Sequence, residues 1–347
     1  MRQRPPQLRR TLRRHSRKPG MEFSSYVRTL GRGPGRSRAL TQEEAQDAMR
    51  QILAGTPAPE AVGALLMLLR YRGESAAEIA GFVEAVRADF APWSGARPAL
   101  DWPSYAAGRT RGVAWFLLAA RLVAGAGYPV LLHGWNSHQN PLASVRAALP
   151  AAAIPEASSI EQASTLLQSH NIAYLPLELF APKVLDLLKL RDVLGLRSAM
   201  NTVCRMLNPG LAPASVQGVF HPSYRELQAD AGALLGQSAL SVIKGGGGEF
   251  ERHPSKEIAV FGLRQGAPWQ DQGQPLSGEA RRLGDGDYQV TDLARLWSGD
   301  LQDEFALAVV TGTAALALHS LGAADSVSAA GELANTLWGD RNKTGAV

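Results

Sequence analysis

The residues of this 347-residue chain best placed to do chemistry are mostly cations. Lys183, Lys189, Arg191, Arg197 and Arg205 fall in one stretch of helical character, and Arg197 and Arg205 are eight apart, about two turns on one helix face. Such a row suits phosphate neutralisation. Asp186 and Asp192 are close enough to make Lys183, Lys189 and Arg191 an ordinary solvated face instead. Lys244 opens the run Lys244-Gly245-Gly246-Gly247-Gly248, flexible enough for a phosphate but without the residue order of a P-loop. Glu249 and Glu251, separated by Phe250, could hold Mg²⁺ through water. His133, His138 and His170 do not have metal-ligand spacing and read as hydrogen-bonded or surface side chains, so no metal site is expected. Cys204 is the single cysteine, lacks an activating context, and reads as a small buried side chain.

The elements that must position these groups fall into two kinds. Thr41 to Glu44 is a capping box ahead of an apolar rhythm at Ala45, Ala48, Met49, Ile52 and Leu53, closed by Gly55. A second helix spans about 59–71 and is apolar on most faces; Ser75 to Glu78 caps a third, and a further helix fits 22–30. From about Ala91, short apolar strands alternate with helices: 128–132, 173–177, 215–220, 240–243 and 258–263. That alternation predicts an α/β fold, a small N-terminal helical domain followed by a larger domain with a mainly parallel central sheet. The expected units are an arm over 1–20, a helical domain over 21–92 joined in space by about 183–208, and an α/β domain over 93–347. The polar, glycine-rich segment 265–290 reads as a long loop or irregular hairpin, and helices resume near Phe305.

Charge is unevenly spread. Residues 1–20 carry eight basic residues and no acid, and 21–38 carry four arginines against Glu22, so of the net +5 the remainder carries −6. A basic, non-periodic arm is attracted to polyanions and has no core of its own. Met21-Glu22-Phe23 begins like a folded domain and is an alternative start. The apolar run 112–134 is interrupted by Arg121 and by Gly125, Gly127 and Pro129, which fits a helix and a buried strand better than a membrane span. One cysteine allows no disulfide framework within the chain. A cytoplasmic, non-membrane protein is the expectation.

Four stretches resemble anthranilate phosphoribosyltransferase and its relatives of glycosyltransferase family 3, which share a fold with pyrimidine nucleoside phosphorylases. They are Leu40 to Phe82, the pair His133-Gly134, Gly195 to Tyr224 (GLRSAMNTVCRMLNP and then GVFHPSY), and the helices over Leu316 to Leu337. The resemblance covers nearly all of 21–347. It implies a glycine-rich Gly-Thr-Gly-Gly-Asp loop for the pyrophosphate, yet Asp101-Trp102-Pro103-Ser104-Tyr105 stands there, with Arg109 and Arg111 just beyond. Proline removes a donor, and Trp and Tyr occlude the approach. The family's second phosphate segment, Lys-His-Gly-Asn-Arg followed by serines, is here Leu132-His133-Gly134-Trp135-Asn136-Ser137-His138. Its Asp-Glu metal pair is reduced to Glu249 and Glu251.

Sugar transfer depends on positioning and on charge stabilisation of the pyrophosphate, so losing this cradle removes most of the rate. The pattern is similar to a non-catalytic, DNA-binding offshoot of the family that dimerises through its helical domain; Asp101-Trp102-Pro103 and the run Leu190 to Ser198 are the pointers. The expectation is a homodimeric, sequence-independent DNA-binding protein without a cofactor. Its phosphate contacts would be Lys183, Lys189, Arg191, Arg197, Arg205, Lys244 and the arm-proximal Arg32, Arg36 and Arg38. Arg109, Arg111, His133, Gly134, Asn136 and Ser137 would be a vestigial phosphate region. The alternative is an active phosphoribosyltransferase or phosphorylase with an altered substrate, which would need Mg²⁺. In the enzymes, an arginine at the position of Arg197 faces the aromatic acid.

Overall fold

The computed structural model describes residues 21–105, 112–135 and 144–342. Four helices come first: α1 (Phe23–Gly31), α2 (Gln42–Leu53), α3 (Pro59–Arg72) and α4 (Ala76–Arg87). Both capping boxes form: Thr41 and Ser75 each accept from the N3 backbone, and Glu44 and Glu78 reach back to the cap. Glu78 also accepts from the Leu40 backbone N–H at 2.8 Å, so this buried carboxylate ties α4 to the entry of α2.

The chain continues as β1 (Leu100–Ser104), α5 (Phe116–Gly125), β2 (Val130–Gly134), α6 (Val145–Ala148), α7 (Ile160–His170), β3 (Ile172–Pro176), α8 (Leu177–Phe180), α9 (Pro182–Leu194) and α10 (Met200–Arg205). Then come β4 (Ala214–Val219), α11 (Tyr224–Leu234), β5 (Ala239–Lys244), β6 (Ile258–Arg264), β7 (Ala267–Gly273), α12 (Asp292–Ser298), α13 (Glu304–Ser320) and α14 (Val327–Asp340). The seven strands run in the order β3-β2-β1-β4-β5-β6-β7, the first five parallel and the last two antiparallel. The fold is thus a small helical domain with a mainly parallel α/β domain. Within the segment 265–290, read as a loop or irregular hairpin, residues 267–273 form the regular edge strand β7, because a two-residue turn at Gln265-Gly266 (φ 51° and 77°) lets them pair along β6, while 274–290 carries no helix or strand.

Strand alternation sends the two faces of the sheet to two cores. Val130 and Leu132 join Leu100, Trp102 and helices α5, α13 and α14 on one side. Leu131, Ala173 and Leu175 join α1–α4 and α7–α10 on the other. Asp101 and His133 are in phase with Leu131, so they face the helical side. Trp102 stacks near Phe116 (6.2 Å between ring centres) and meets Phe250 edge-on (5.4 Å). The reading of Asp101–Tyr105 as an occluding loop is therefore corrected: 101–104 belong to β1, and Trp102 is a core side chain. Tyr105 follows the end of β1 and is also buried. Arg109, Arg111, Asn136, Ser137 and the arm over 1–20 lie outside the described residues.

Candidate anion pocket

The helical row expected across Arg197 and Arg205 does not exist as one face. Gly195 (φ 69°) ends α9 in the left-handed conformation, and Arg197 sits in the connection before α10. Arg205 is a correction in its own right. It is 8% exposed and donates to the carbonyls of Asn201 (2.7 Å) and Tyr105 (3.4 Å), so it does not offer a free surface to a polymer. Burial lowers its pKa, and Glu249 is the largest opposing charge.

What the structure builds here is a pocket of about 80 Å³ between the helical domain and the C-terminal end of β4. Arg70 comes from the last turn of α3, Arg197 from just before α10 and Arg205 from its end. Phe220 and His221 come from the exit of β4, and Tyr224 and Gln228 from α11. Among the described residues, no acid lines it. Burial first, then the charges of Arg191, Arg205 and Arg70, bring the Arg197 guanidinium down to about 10. Tyr224 donates to Glu74 at 2.8 Å and accepts from Arg70 at 3.4 Å; burial, with Glu74 beside it, pushes its phenol up to about 12. The buried Gln228 amide oxygen has no hydrogen-bond partner among the described residues. Cation clustering around an unsatisfied amide suits a small anion that also carries a donor. Tyr224 closes the resembling stretch Gly195 to Tyr224, but nothing in the sequence singles out Arg70 or Gln228. Arg70 and Gln228 each read as one more residue on an amphipathic helix, and no local signal marks the convergence.

The C-terminal ends of β1 and β2 are differently built. His133 is fully buried, with Nδ1 2.9 Å from the Tyr105 hydroxyl and Nε2 3.1 Å from Asp101 Oδ1. Asp101 Oδ2 accepts from Ser215 Oγ at 2.8 Å. His133 is therefore enclosed in a buried polar cluster across three strands, hydrogen-bonded to Tyr105 and only in contact with Asp101, since His133 Nε2 and Asp101 Oδ1 make no hydrogen bond among the described residues. Gly134 ends β2 in the same buried strand. Glu251 Oε2 accepts from the Phe116 backbone N–H at 3.0 Å, at the start of α5. That carboxylate serves a helix N-terminus, and Glu249, also buried, interacts with the charge of Arg205. Gly218 allows this course of the chain, since a Cβ there would collide with the Glu249 carbonyl. No cluster of three or more His, Cys, Asp or Glu suited to a metal occurs among the described residues.

The other expected contacts are scattered. Arg38 pairs with Glu44 (2.6 Å), and Lys183 with Asp89 (3.2 Å). Arg32 and Arg36 lie on the turn after α1, Lys189 and Arg191 on α9, and Lys244 at the exposed end of β5. Lys189, Arg32 and Lys244 are solvent-facing.

Residues 24–89 match the helical bundle domain of the glycosyl transferase family. More narrowly, the chain is anthranilate phosphoribosyltransferase-like. It is 29% identical over 275 residues to the anthranilate phosphoribosyltransferase of Roseiflexus sp. (strain RS-1), covering 77% of this chain and 80% of that one. It is 30% identical over 208 residues to the enzyme of Rhizobium rhizogenes, covering 60% and 61%. The solved anthranilate phosphoribosyltransferase of Thermus thermophilus superposes with a TM-score of 0.77 at 24% identity, over 91% of this chain and 94% of that one. The Saccharomyces cerevisiae enzyme in complex with PRPP and Mg superposes with a TM-score of 0.72 at 18% identity, over 92% and 95%. No helix among the described residues is long and apolar enough to cross a membrane.

Proposed function

We propose that the protein is a phosphoribosyltransferase-type or phosphorylase-type enzyme whose substrate has changed, with an acceptor pocket that takes a small planar carboxylate. The observation that carries this reading is the convergence of Arg70, Arg197 and Arg205 on a pocket with no acidic lining among the described residues. In this reading Arg197 and Arg70 hold the carboxylate, Phe220 offers a ring face, and the free end of the Gln228 amide accepts an N–H from the ligand. The relatives are named for anthranilate, a carboxylate bearing an amine, and the pocket chemistry fits that class. The sugar donor is where the substrate departs. With His133 buried against Tyr105 and Asp101, and Glu251 holding α5, the described residues do not reproduce a Mg²⁺–pyrophosphate cradle. Arg205 reaches the end of β1, its Nη2 donating to the Tyr105 carbonyl.

A second reading, DNA binding by a homodimer, keeps one specific support: exposed cations at Arg32, Lys189 and Lys244 with no ion pair among the described residues. Against it, Arg205 is internal and Lys183 and Arg38 are already neutralised. Either reading goes with a cytoplasmic protein, in keeping with the free, buried Cys204.

Calorimetry separates them. Anthranilate, phosphoribosyl pyrophosphate with Mg²⁺, and duplex DNA are titrated in parallel into the full chain. Anthranilate binding that is lost in Arg197→Met supports the pocket. DNA binding with a steep salt dependence (a slope of about −0.9 per phosphate contact) and no anthranilate binding would overturn it.

A further inference from the structure

A larger opening lies elsewhere in the α/β domain. It is a cleft of about 520 Å³ between β7, α13 and the N-terminal half of α14, and it shares no lining residue with the Arg197 pocket. That size falls within the roughly 300–1,000 Å³ of small-molecule sites.

Arg252, only 1% exposed, lies at its wall. Its backbone N–H donates to Thr313 Oγ1 at 2.9 Å, and Nη2 donates to the Gln274 carbonyl. Nε donates to nothing, and no carboxylate pairs with this guanidinium among the described residues. Burial alone brings its pKa down to about 10, with no neighbouring charge opposing the shift. A buried cation without a counter-charge is costly, and such groups are ordinarily paired. Two glycines make room for it: a Cβ on Gly273 would stand 2.9 Å from Nη2, and one on Gly312 3.2 Å from Cδ.

The surroundings say what kind of anion fits. Leu276, Leu307, Ala308 and Val327 give the cleft an apolar wall. Val327 and Ser328 form the first turn of α14, whose dipole favours negative charge. Glu304 and Glu332, both exposed, also line it and oppose a multiply charged ligand. We propose that this cleft binds a small organic monocarboxylate with an apolar body, its carboxylate facing Arg252 and the first turn of α14. Phosphate gains nothing from the apolar wall and is repelled by the two glutamates.

The test uses the full chain carrying Arg197→Met, so that the other pocket is silent. 4-Methylpentanoate, leucine and inorganic phosphate are titrated by calorimetry and by ligand-observed NMR. The expected result is carboxylate binding with a Kd on the order of 1 mM, and no phosphate binding. Ala308→Phe places bulk in the cleft wall while leaving Arg252 in place, and should weaken binding at least about tenfold. Arg252→Met should do the same wherever its melting curve shows it folded. Leucine binding more tightly than 4-methylpentanoate assigns the ammonium to Glu304 and Glu332, and equal binding assigns recognition to the carboxylate and the apolar wall; both support the site. Absence of carboxylate binding at about 20 mM, binding that survives Ala308→Phe, or phosphate binding as tight as the carboxylate each overturns it.

Discussion

Arg197→Met should stabilise the fold while weakening anion binding, an opposition that an ordinary packing residue would not show. The guanidinium is half-buried beside Arg70, Arg191 and Arg205, and burial plus those charges bring it down to about 10. A base whose pKa falls on folding is charged in both states at pH 7, and the folded state carries the penalty. Each tenfold change in acidity corresponds to about 1.4 kcal/mol. The side chain keeps partial solvent contact, so screening reduces the recoverable part to about 1 kcal/mol. Met keeps the apolar stem, and a gain of that size in a chain of this length raises Tm by about 2 °C. The sign is testable in pH: the gain is full below about 10 and disappears as Arg197 deprotonates in the wild type. The assay is thermal denaturation at pH 7 and pH 9, each with and without millimolar anthranilate, and the gain should be the same at both pH values. A Tm lowered by about 2 °C or more, or anthranilate stabilisation equal in variant and wild type, would refute the reasoning.

Three further outcomes follow from the buried polar groups. Tyr105→Phe leaves His133 Nδ1 without its hydroxyl neighbour in a fully buried setting and should cost about 1–3 kcal/mol in guanidinium melts; an unchanged midpoint would show that the hydroxyl adds nothing to the internal chain. Glu251→Ala strips the acceptor from the Phe116 N–H and should cost about 1–3 kcal/mol in the same melts, and added Mg²⁺ should leave wild-type stability unchanged if the carboxylate serves α5 alone. Cys204, whose thiol is pushed up by complete burial, should resist alkylation at pH 8 in the folded chain and react on unfolding; fast native labelling would contradict its placement.

Local signals carry much of the architecture. Thr41/Glu44 and Ser75/Glu78 announce helix starts because a capping box is satisfied within four residues, and both form. Strands β2 to β6 lie within two residues of their apolar runs, because a strand covered on both faces needs a short hydrophobic segment. β1 is the exception. With Trp, Pro and Asp in it, the segment looks like loop chemistry, and only its pairing with β2 and β4 makes it a strand. β7 hides for a similar reason. Its sequence is polar because it is an edge strand, and its partner β6 supplies the ladder.

The site is legible in its parts but not in its assembly. Sequence is enough for the two kinds of domain, the helix caps and the resemblance of Gly195 to Tyr224. It cannot say which cations face inward, since a guanidinium eight residues from another reads as a surface row until Arg197 is seen to lie outside α10. Packing turned Arg205 inward and brought Arg70, Arg197 and Gln228 to one pocket from three separate segments. It also closed His133 into a chain with Tyr105 and Asp101. Local propensity reports short-range hydrogen bonding and apolar period, whereas charge convergence depends on packing distant helices against the end of a strand.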